Sequence, residues 1–282
     1  IILTGAEMDY FSRARSFRTK KKLGQNFLIS GQVINSIIKY ANLSKDDTVL
    51  EIGPGIGFVT EKAAPEVKRL IAVEIDEDAI DVLSDLPFNN IDIINKDILQ
   101  TDFSELSDER VKIIANIPYY ITSPILVHLL GEIDEQTNKN RNLISEIILM
   151  VQYEVAKRIV ATNESRAKDY GLLSILCNFW AETELLETVP ASAFYPKPKV
   201  DSALVRLKMR KTPLFELDDP KKFRRVIKGA FAMRRKTLVN SLSSSGFPKE
   251  KIKSALAELG FSENIRAENL SIEDFKNLSQ KL

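Results

Sequence analysis

Apolar residues along this chain fall into short runs that switch between two spacings. Val33, Ile34, Ile37, Ile38 and Ala41 recur at the 3.6-residue period of one helix face, behind Ser30, whose hydroxyl can cap a helix. The runs Thr48 to Ile52, Leu70 to Ile75, Ile91 to Ile94, Val111 to Ala115 and Ile147 to Val151 have strand length. Between and after them, Phe58 to Ala64, Asp78 to Leu86, Ile121 to Leu130 and Glu154 to Ala161 have helical spacing. Strands alternating with helices predict an α/β fold, a mainly parallel sheet covered on both faces. The strand runs are apolar at successive positions, as burial on both sides requires. Leu172 to Trp180 reads as a further helix, and Thr183 to Val189 with Ala203 to Met209 as a closing pair of strands. Asn138 and the segment Lys139 to Asn142 read as a polar loop.

Past Pro213 the strands stop. Phe223, Val226, Ile227, Ala230 and Phe231 mark an amphipathic helix with a basic outer face. Ile252, Ala255, Leu256 and Leu259 mark another that Gly260 ends, and Ser271 caps a last one through Phe275 and Leu278. The expected division is therefore a flexible N-terminal tail over 1–19, an α/β domain over 20–211 and a small all-helical C-terminal domain over 212–282.

Composition narrows the chemistry. With 282 residues and 44% hydrophobic residues the chain can bury a full core. No stretch has the ~20 consecutive apolar residues of a membrane-spanning helix, and no signal pattern opens the chain. A cytoplasmic address without a membrane partner is the expectation. Cys177 is the only cysteine and His128 the only histidine, which rules out an intrachain disulfide and argues against a zinc cluster or a histidine triad. Both lie in apolar runs, where a structural role is expected, and no metal is expected. The chemistry must come from amides, carboxylates, aromatics or a cofactor.

The net charge is only +1, but its distribution is uneven. Arg13, Arg15, Arg18, Lys20, Lys21 and Lys22 crowd the N-terminus, and Lys197 to Lys236 holds fourteen Lys or Arg against four acids. Such a bipolar molecule can turn one face to a polyanion while staying near neutral overall.

Glu51-Ile52-Gly53-Pro54-Gly55-Ile56-Gly57 lies between the first strand and its helix. Glycines there permit a tight turn and close approach of a ligand to the main chain, at the carboxyl ends of strands where open α/β sheets bind ligands. Glu74 ends the second strand, where a carboxylate can accept hydrogen bonds from both hydroxyls of a ribose. Asp97 follows the third strand, placed to accept from an adenine amino group or simply to cap a turn. A dinucleotide oxidoreductase is the rival interpretation, but the glycines are spaced G-x-G-x-G rather than G-x-G-x-x-G. That rival also gives no task to Asn116-Ile117-Pro118-Tyr119, which follows the strand Val111 to Ala115. An amide, a proline and an aromatic ring at a strand end suit a flat ring bearing an amino group. S-adenosylmethionine, as methyl donor to an adenine, gives all of these residues a role.

At this point the sequence resembles the KsgA-type ribosomal RNA adenine dimethyltransferases of the small subunit. The resemblance covers roughly residues 20–242. It rests on Leu23-Gly24-Gln25-Asn26-Phe27-Leu28, Glu51 to Gly57, Glu74-Ile75-Asp76, Asn116 to Tyr119, Phe194-Tyr195-Pro196-Lys197-Pro198-Lys199-Val200-Asp201-Ser202 and Arg234-Arg235-Lys236-Thr237. It implies a Rossmann-like, class I S-adenosylmethionine-dependent methyltransferase fold. The positions Asn26, Leu28, Gly53, Glu74, Asp97 and Asn116 are then expected to meet S-adenosylmethionine, with Gln25, Gly55, Ile75 and Ile98 completing the pocket. The family dimethylates N6 of two adjacent adenosines in a hairpin loop near the 3′ end of small-subunit rRNA, late in ribosome biogenesis. Ile117 departs from the leucine of many members and is shared with large-subunit, antibiotic-resistance relatives. Those relatives have a less developed tail, so the module after Pro213 favours the small subunit.

On this basis the Asn116 side-chain oxygen and the Ile117 carbonyl accept hydrogen bonds from the two amino N–H groups of the target adenine. Pro118 fixes the backbone. Tyr119 stacks on the base and Phe194 is the candidate for its opposite face, with the base swung out of its own stack. Lys20, Lys21, Lys22, Lys197, Lys199, Arg234, Arg235 and Lys236 are expected to meet RNA phosphates. The expected partner is small-subunit rRNA in an immature subunit, bound by a monomer. An assembly factor that works by occupying the RNA is the second class of function, and the two roles are compatible.

Overall fold

The computed structural model describes residues 5–282. Two compact units are distinguished: 1–129, 138–156 and 182–209 form one, and 130–137, 157–181 and 210–282 the other.

The first unit is built on strands β1 (Thr48–Ile52), β2 (Arg69–Glu74), β3 (Ile91–Asn95), β4 (Val111–Asn116), β5 (Ile144–Gln152), β6 (Ala181–Val189) and β7 (Ser202–Met209). Among the described residues these form one seven-stranded sheet in the order β3-β2-β1-β4-β5-β7-β6. Neighbours from β3 to β5 run parallel, and β7 runs antiparallel to β5. This is the mainly parallel α/β sheet expected from the alternating pattern, and the Rossmann-like fold that the family resemblance implies. β1 and β2 are buried nearly throughout, as β-branched and leucine residues are when helices cover both faces. β3, at one edge of the sheet, differs. As an edge strand it leaves Asp92 and Asn95 in solvent, polar side chains that discourage further pairing at an open edge.

The connecting helices include α2 (Gly31–Ala41), α3 (Thr60–Ala63) and α4 (Glu77–Ser84). The Ser30 side chain accepts from the Val33 N–H, so the expected cap forms. Asp76 caps α4 in the same way through the Asp78 N–H. Because chain order reverses on either side of β1, the crevice at the carboxyl ends of β1 and β4 is open to a ligand.

Two expectations are corrected. Residues 5–16, assigned to a flexible tail, form a helix, α1 (Gly5–Ser16). Tyr10 and Ala14, one turn apart, are buried. Tyr10 stacks on Phe58 with centroids 4.7 Å apart, and Arg13 donates to Glu61 at 2.5 Å. Residues 1–4 of that segment lie outside the described residues. The presumed polar loop at 138–142 is also ordered as a short helix, Lys139–Leu143, with Asn138 as its cap. Its Asn140 is buried, accepts from the Phe103 N–H and contacts the His128 ring nitrogen at 3.1 Å. His128 Nε2 also lies 2.9 Å from the Thr101 carbonyl. The single histidine is thus a structural one.

The second unit holds the C-terminal helices Pro220–Phe231, Leu238–Ser244, Lys249–Glu258 and Ile272–Lys281. Asp219 caps the first of these through the Lys222 N–H, and Ser271 with Asp274 forms a reciprocal cap on the last. The unit also takes in 157–181, which the strand–helix alternation assigns to the α/β domain. The reason is aromatic packing: Phe179, on the helix Leu172–Trp180, packs against Phe215 at 5.5 Å and Phe223 at 6.1 Å. Cys177 on that helix is fully buried, and burial pushes its thiol far up. Among the described residues no helix is long and apolar enough to cross a membrane.

Candidate active site

A cavity of about 330 Å³ opens at the carboxyl ends of β1, β2 and β4, within the first unit. Its wall includes every residue expected to meet the methyl donor: Gln25, Asn26, Leu28, Gly53, Gly55, Glu74, Ile75, Asp97, Ile98 and Asn116. Ile117, Pro118 and Tyr119 line it as well. Residues separated by nearly a hundred positions meet here because β1 lies between β2 and β4, with Ile52 opposite both Val73 and Ala115.

The glycine loop leaves β1 in a conformation that other residues rarely adopt. Gly53 and Gly55 have φ of +66° and +58°. A β-carbon at Gly55 would come within 3.0 Å of the Phe27 ring, so side chains are excluded where the main chain passes the cavity.

Glu74 is held by backbone donors. Its Oε1 accepts from the Ile75 and Asp76 N–H groups at 2.8 and 2.9 Å, and its Oε2 accepts from Gly55 at 2.9 Å. This fixes the carboxylate but uses most of its capacity. One lone pair on Oε2 remains for a ligand hydroxyl, rather than the two acceptor positions expected for a ribose. Burial pushes the Glu74 carboxyl above its ordinary range, against the pull of these N–H donors. Asp97 does cap a turn, with Oδ1 accepting from Leu99 at 3.0 Å, and still lines the cavity. Glu51 lies in the same wall, fully desolvated. Burial pushes its carboxyl up to about 7, opposed by a 2.7 Å bond from the Thr60 hydroxyl and aided by the nearby Glu74 charge.

Asn116 is the last residue of β4, paired with Met150 of β5. Among the described residues none hydrogen-bonds its side-chain amide. The next peptide groups leave the sheet, with Pro118 at φ −57° and ψ 135°. The Tyr119 hydroxyl lies 2.7 Å from that of Ser202, the first residue of β7, which anchors the ring at the cavity wall. An unpaired amide, a turning backbone carbonyl and an anchored aromatic ring therefore share a wall with three carboxyl groups and a glycine loop. The set suits a nucleoside-bearing ligand beside a second flat, amino-bearing ring.

The segment before the cavity is tied down electrostatically. Lys20 donates to Asp76 and, at 2.7 Å, to Asp78, while Gln25 donates to Asp76 at 2.5 Å and accepts from the Lys20 N–H at 2.7 Å. The side-chain bonds to Asp76 and Asp78 push the Lys20 ammonium up to about 12. Lys20 is therefore no free cation for phosphate, because two acids already hold it. Phe194 is also corrected. It pairs with Leu28 in a two-stranded ladder, is 2% exposed and belongs to the core, not to the cavity wall. Arg234 donates to the carbonyls of Ala167 and Tyr170 at 2.7 and 3.0 Å, fastening a turn in the second unit. Lys22, Lys197, Lys199, Arg235 and Lys236 are exposed, and the Lys21 side chain lies outside what the structure describes.

The wall also contains residues to which sequence patterns give no site role, among them Phe27, Leu99 and Tyr120. Phe27 and Tyr120 flank singled-out residues directly. Their apolar character fits core positions equally well, so only the fold distinguishes them.

Comparison with known proteins agrees with this geometry. The family described as ribosomal RNA adenine dimethylase matches residues 16–282. The protein of Bacillus mycoides named ribosomal RNA small subunit methyltransferase A is 41% identical over 278 residues, 94% of this chain and 92% of that one. Its Bacillus anthracis counterpart is equally similar. Among solved structures, a dimethyladenosine transferase from Plasmodium falciparum aligns with a TM-score of 0.71 and 27% identity, covering 88% of this chain and 94% of that one. The 23S rRNA methyltransferase ErmE aligns with a TM-score of 0.67 and 28% identity, covering 91% and 99%.

Proposed function

The chain belongs to the ribosomal RNA adenine dimethylase family, and we propose that it uses S-adenosylmethionine to dimethylate N6 of two adjacent adenosines in a hairpin loop near the 3′ end of small-subunit rRNA. The observation that carries this is the Asn116 amide, without a hydrogen-bond partner among the described residues at a strand end, in one cavity with Glu74 and Asp97.

The cavity fits the donor. Gly53 and Gly55 give main-chain access, the free lone pair of Glu74 Oε2 accepts from a ribose hydroxyl, and Asp97 accepts from the donor's adenine amino group. Ile75, 51% exposed at the cavity, offers an apolar surface for the same ring. Bound there, S-adenosylmethionine supplies an electrophilic methyl group, so no covalent enzyme intermediate is needed.

The amino nitrogen of adenine is a poor nucleophile because its lone pair is conjugated with the ring. Asn116 Oδ1 and the Ile117 carbonyl, accepting hydrogen bonds from its two N–H groups, favour a pyramidal and more electron-rich nitrogen. Pro118 stiffens the turn that aims them, having no N–H to compete. Tyr119, anchored to Ser202, stacks on the extruded base. Phe194 supports the wall from the core. The residues contribute mainly by positioning, and the methylated nitrogen is acidic enough to lose its proton to water.

For RNA contact the proposal keeps Lys22, Lys197, Lys199, Arg235 and Lys236, which are exposed. An immature small subunit as substrate, a monomeric enzyme and the cytoplasm belong to the same proposal. Ile117 and the likeness to ErmE favour large-subunit rRNA as the second possibility. Labelled-methyl incorporation into immature small subunits, large subunits and naked RNA decides between them. Label in small subunits is expected, and label confined to large subunits would overturn the assignment.

A further inference from the structure

Tyr120 has no part in the mechanism above, yet it lines the cavity mouth while 63% exposed. Its ring is not loose. One edge rests on Gly24, where a β-carbon would come within 3.1 Å of the Tyr120 Cε1 atom, and its hydroxyl reaches the Lys22 carbonyl at 3.5 Å. The rest of the ring is left to solvent. The segment that accepts its hydroxyl carries the exposed Lys22. Phe27 pairs with Tyr195, so Lys22, five residues before the one, and Lys197, two residues after the other, leave the same two-stranded ladder. An exposed aromatic face interleaved with lysines at a pocket mouth is the composition that binds unpaired nucleotides by stacking and charge.

We infer that Tyr120 is a stacking platform for the nucleotide next to the extruded target adenine. This rests on the rRNA adenine activity proposed above. Swinging one base out of its stack leaves its neighbour with a bare face. Tyr119 and Tyr120 line the same cavity, so one ring can seat the target and the other its neighbour. Where both adjacent adenosines are substrates, the platform holds one while the other reacts. Tyr120 thus acts on RNA affinity and register, not on the reacting nitrogen.

The test uses an RNA hairpin with two adjacent adenines in its loop, one replaced by 2-aminopurine as the neighbour of the target. Binding by the full chain is expected to quench its emission, and Tyr120→Phe and Tyr120→Trp should do the same. Tyr120→Ala should leave the emission unquenched and bind the hairpin about ten-fold more weakly, the loss of one stacked base. Equal quenching by Tyr120→Ala, unchanged affinity, or failure of Tyr120→Phe to behave like the parent protein would overturn the platform. The melting temperature shows whether Tyr120→Ala remains folded, and the Phe and Trp variants keep the test decisive if it does not. Methyl transfer to small-subunit rRNA by the parent protein, measured in parallel, separates the two claims. Its absence refutes the activity itself, whereas transfer with a fully quenching Tyr120→Ala refutes the platform alone.

Discussion

The hydroxyl of Tyr119 lies 2.7 Å from the hydroxyl of Ser202, joining residues 83 positions apart. Ser202 is fully buried and pairs with Gln152, so the aromatic ring at the cavity wall is referenced to the sheet itself. Burial pushes the Tyr119 phenol above its ordinary value, with the Ser202 bond pulling it back. A stacking ring needs a fixed plane more than a reactive hydroxyl, and this bond supplies it.

Tyr119→Phe and Ser202→Ala should therefore behave differently from Tyr119→Ala. The first two lose one hydrogen bond, about 1 kcal/mol of stability, and keep the ring. Tyr119→Ala removes the stacking surface and should cost about ten- to a hundred-fold in kcat/KM. Urea unfolding and steady-state kinetics on all three check the separation.

Glu51 should make stability depend on pH. Its folded carboxyl sits at about 7 and its unfolded one near 4.5, so between those values the folded chain holds the extra proton. Stability from this group is fully present below about pH 4.5 and is lost as pH rises through about 7, by about 3 kcal/mol at most. Glu51→Gln, which can still accept from Thr60, should flatten that slope. Chemical unfolding at pH 5.5 and 8 for both proteins checks it, and an unchanged slope in the variant would remove Glu51 as its source.

The basic residues should divide into two groups. Lys20→Ala breaks the contacts to Asp76 and Asp78 that order the segment beside Gln25, so it should weaken donor binding more than RNA binding. Arg234→Glu should lower the stability of the helical unit, because its guanidinium fastens Ala167 and Tyr170. Arg235→Glu should weaken RNA affinity and flatten its dependence on salt, as loss of a phosphate contact does. Calorimetry with the donor, thermal melting and RNA titrations at two salt concentrations distinguish the three.

The sheet and the cavity wall were legible because they rest on local signals: apolar runs bounded by glycines, and polar residues at strand ends. What was not legible depends on distant partners. Among the described side chains of helix α1 only Tyr10 and Ala14 are buried, and Tyr10 meets Phe58, as Arg13 meets Glu61, about fifty residues away. Lys20 and Arg234 read as free cations until the fold supplies Asp76, Asp78 and the carbonyls at 167 and 170. Phe194 sits in a motif of the family, yet its pairing with Leu28 turns it into the core. Glu74 is legible by position, but only the fold shows how many backbone N–H groups it already holds.

The most direct measurement is nucleoside analysis of small-subunit rRNA after incubation with S-adenosylmethionine and either the parent protein or Asn116→Ala. The parent should produce N6,N6-dimethyladenosine. The variant should bind RNA nearly normally but, even with saturating donor, lose transfer by about a hundred-fold or more, the scale for removing one preorganised polar group from a reacting centre. Dimethyladenosine formed by Asn116→Ala at the parent's rate would contradict the central claim.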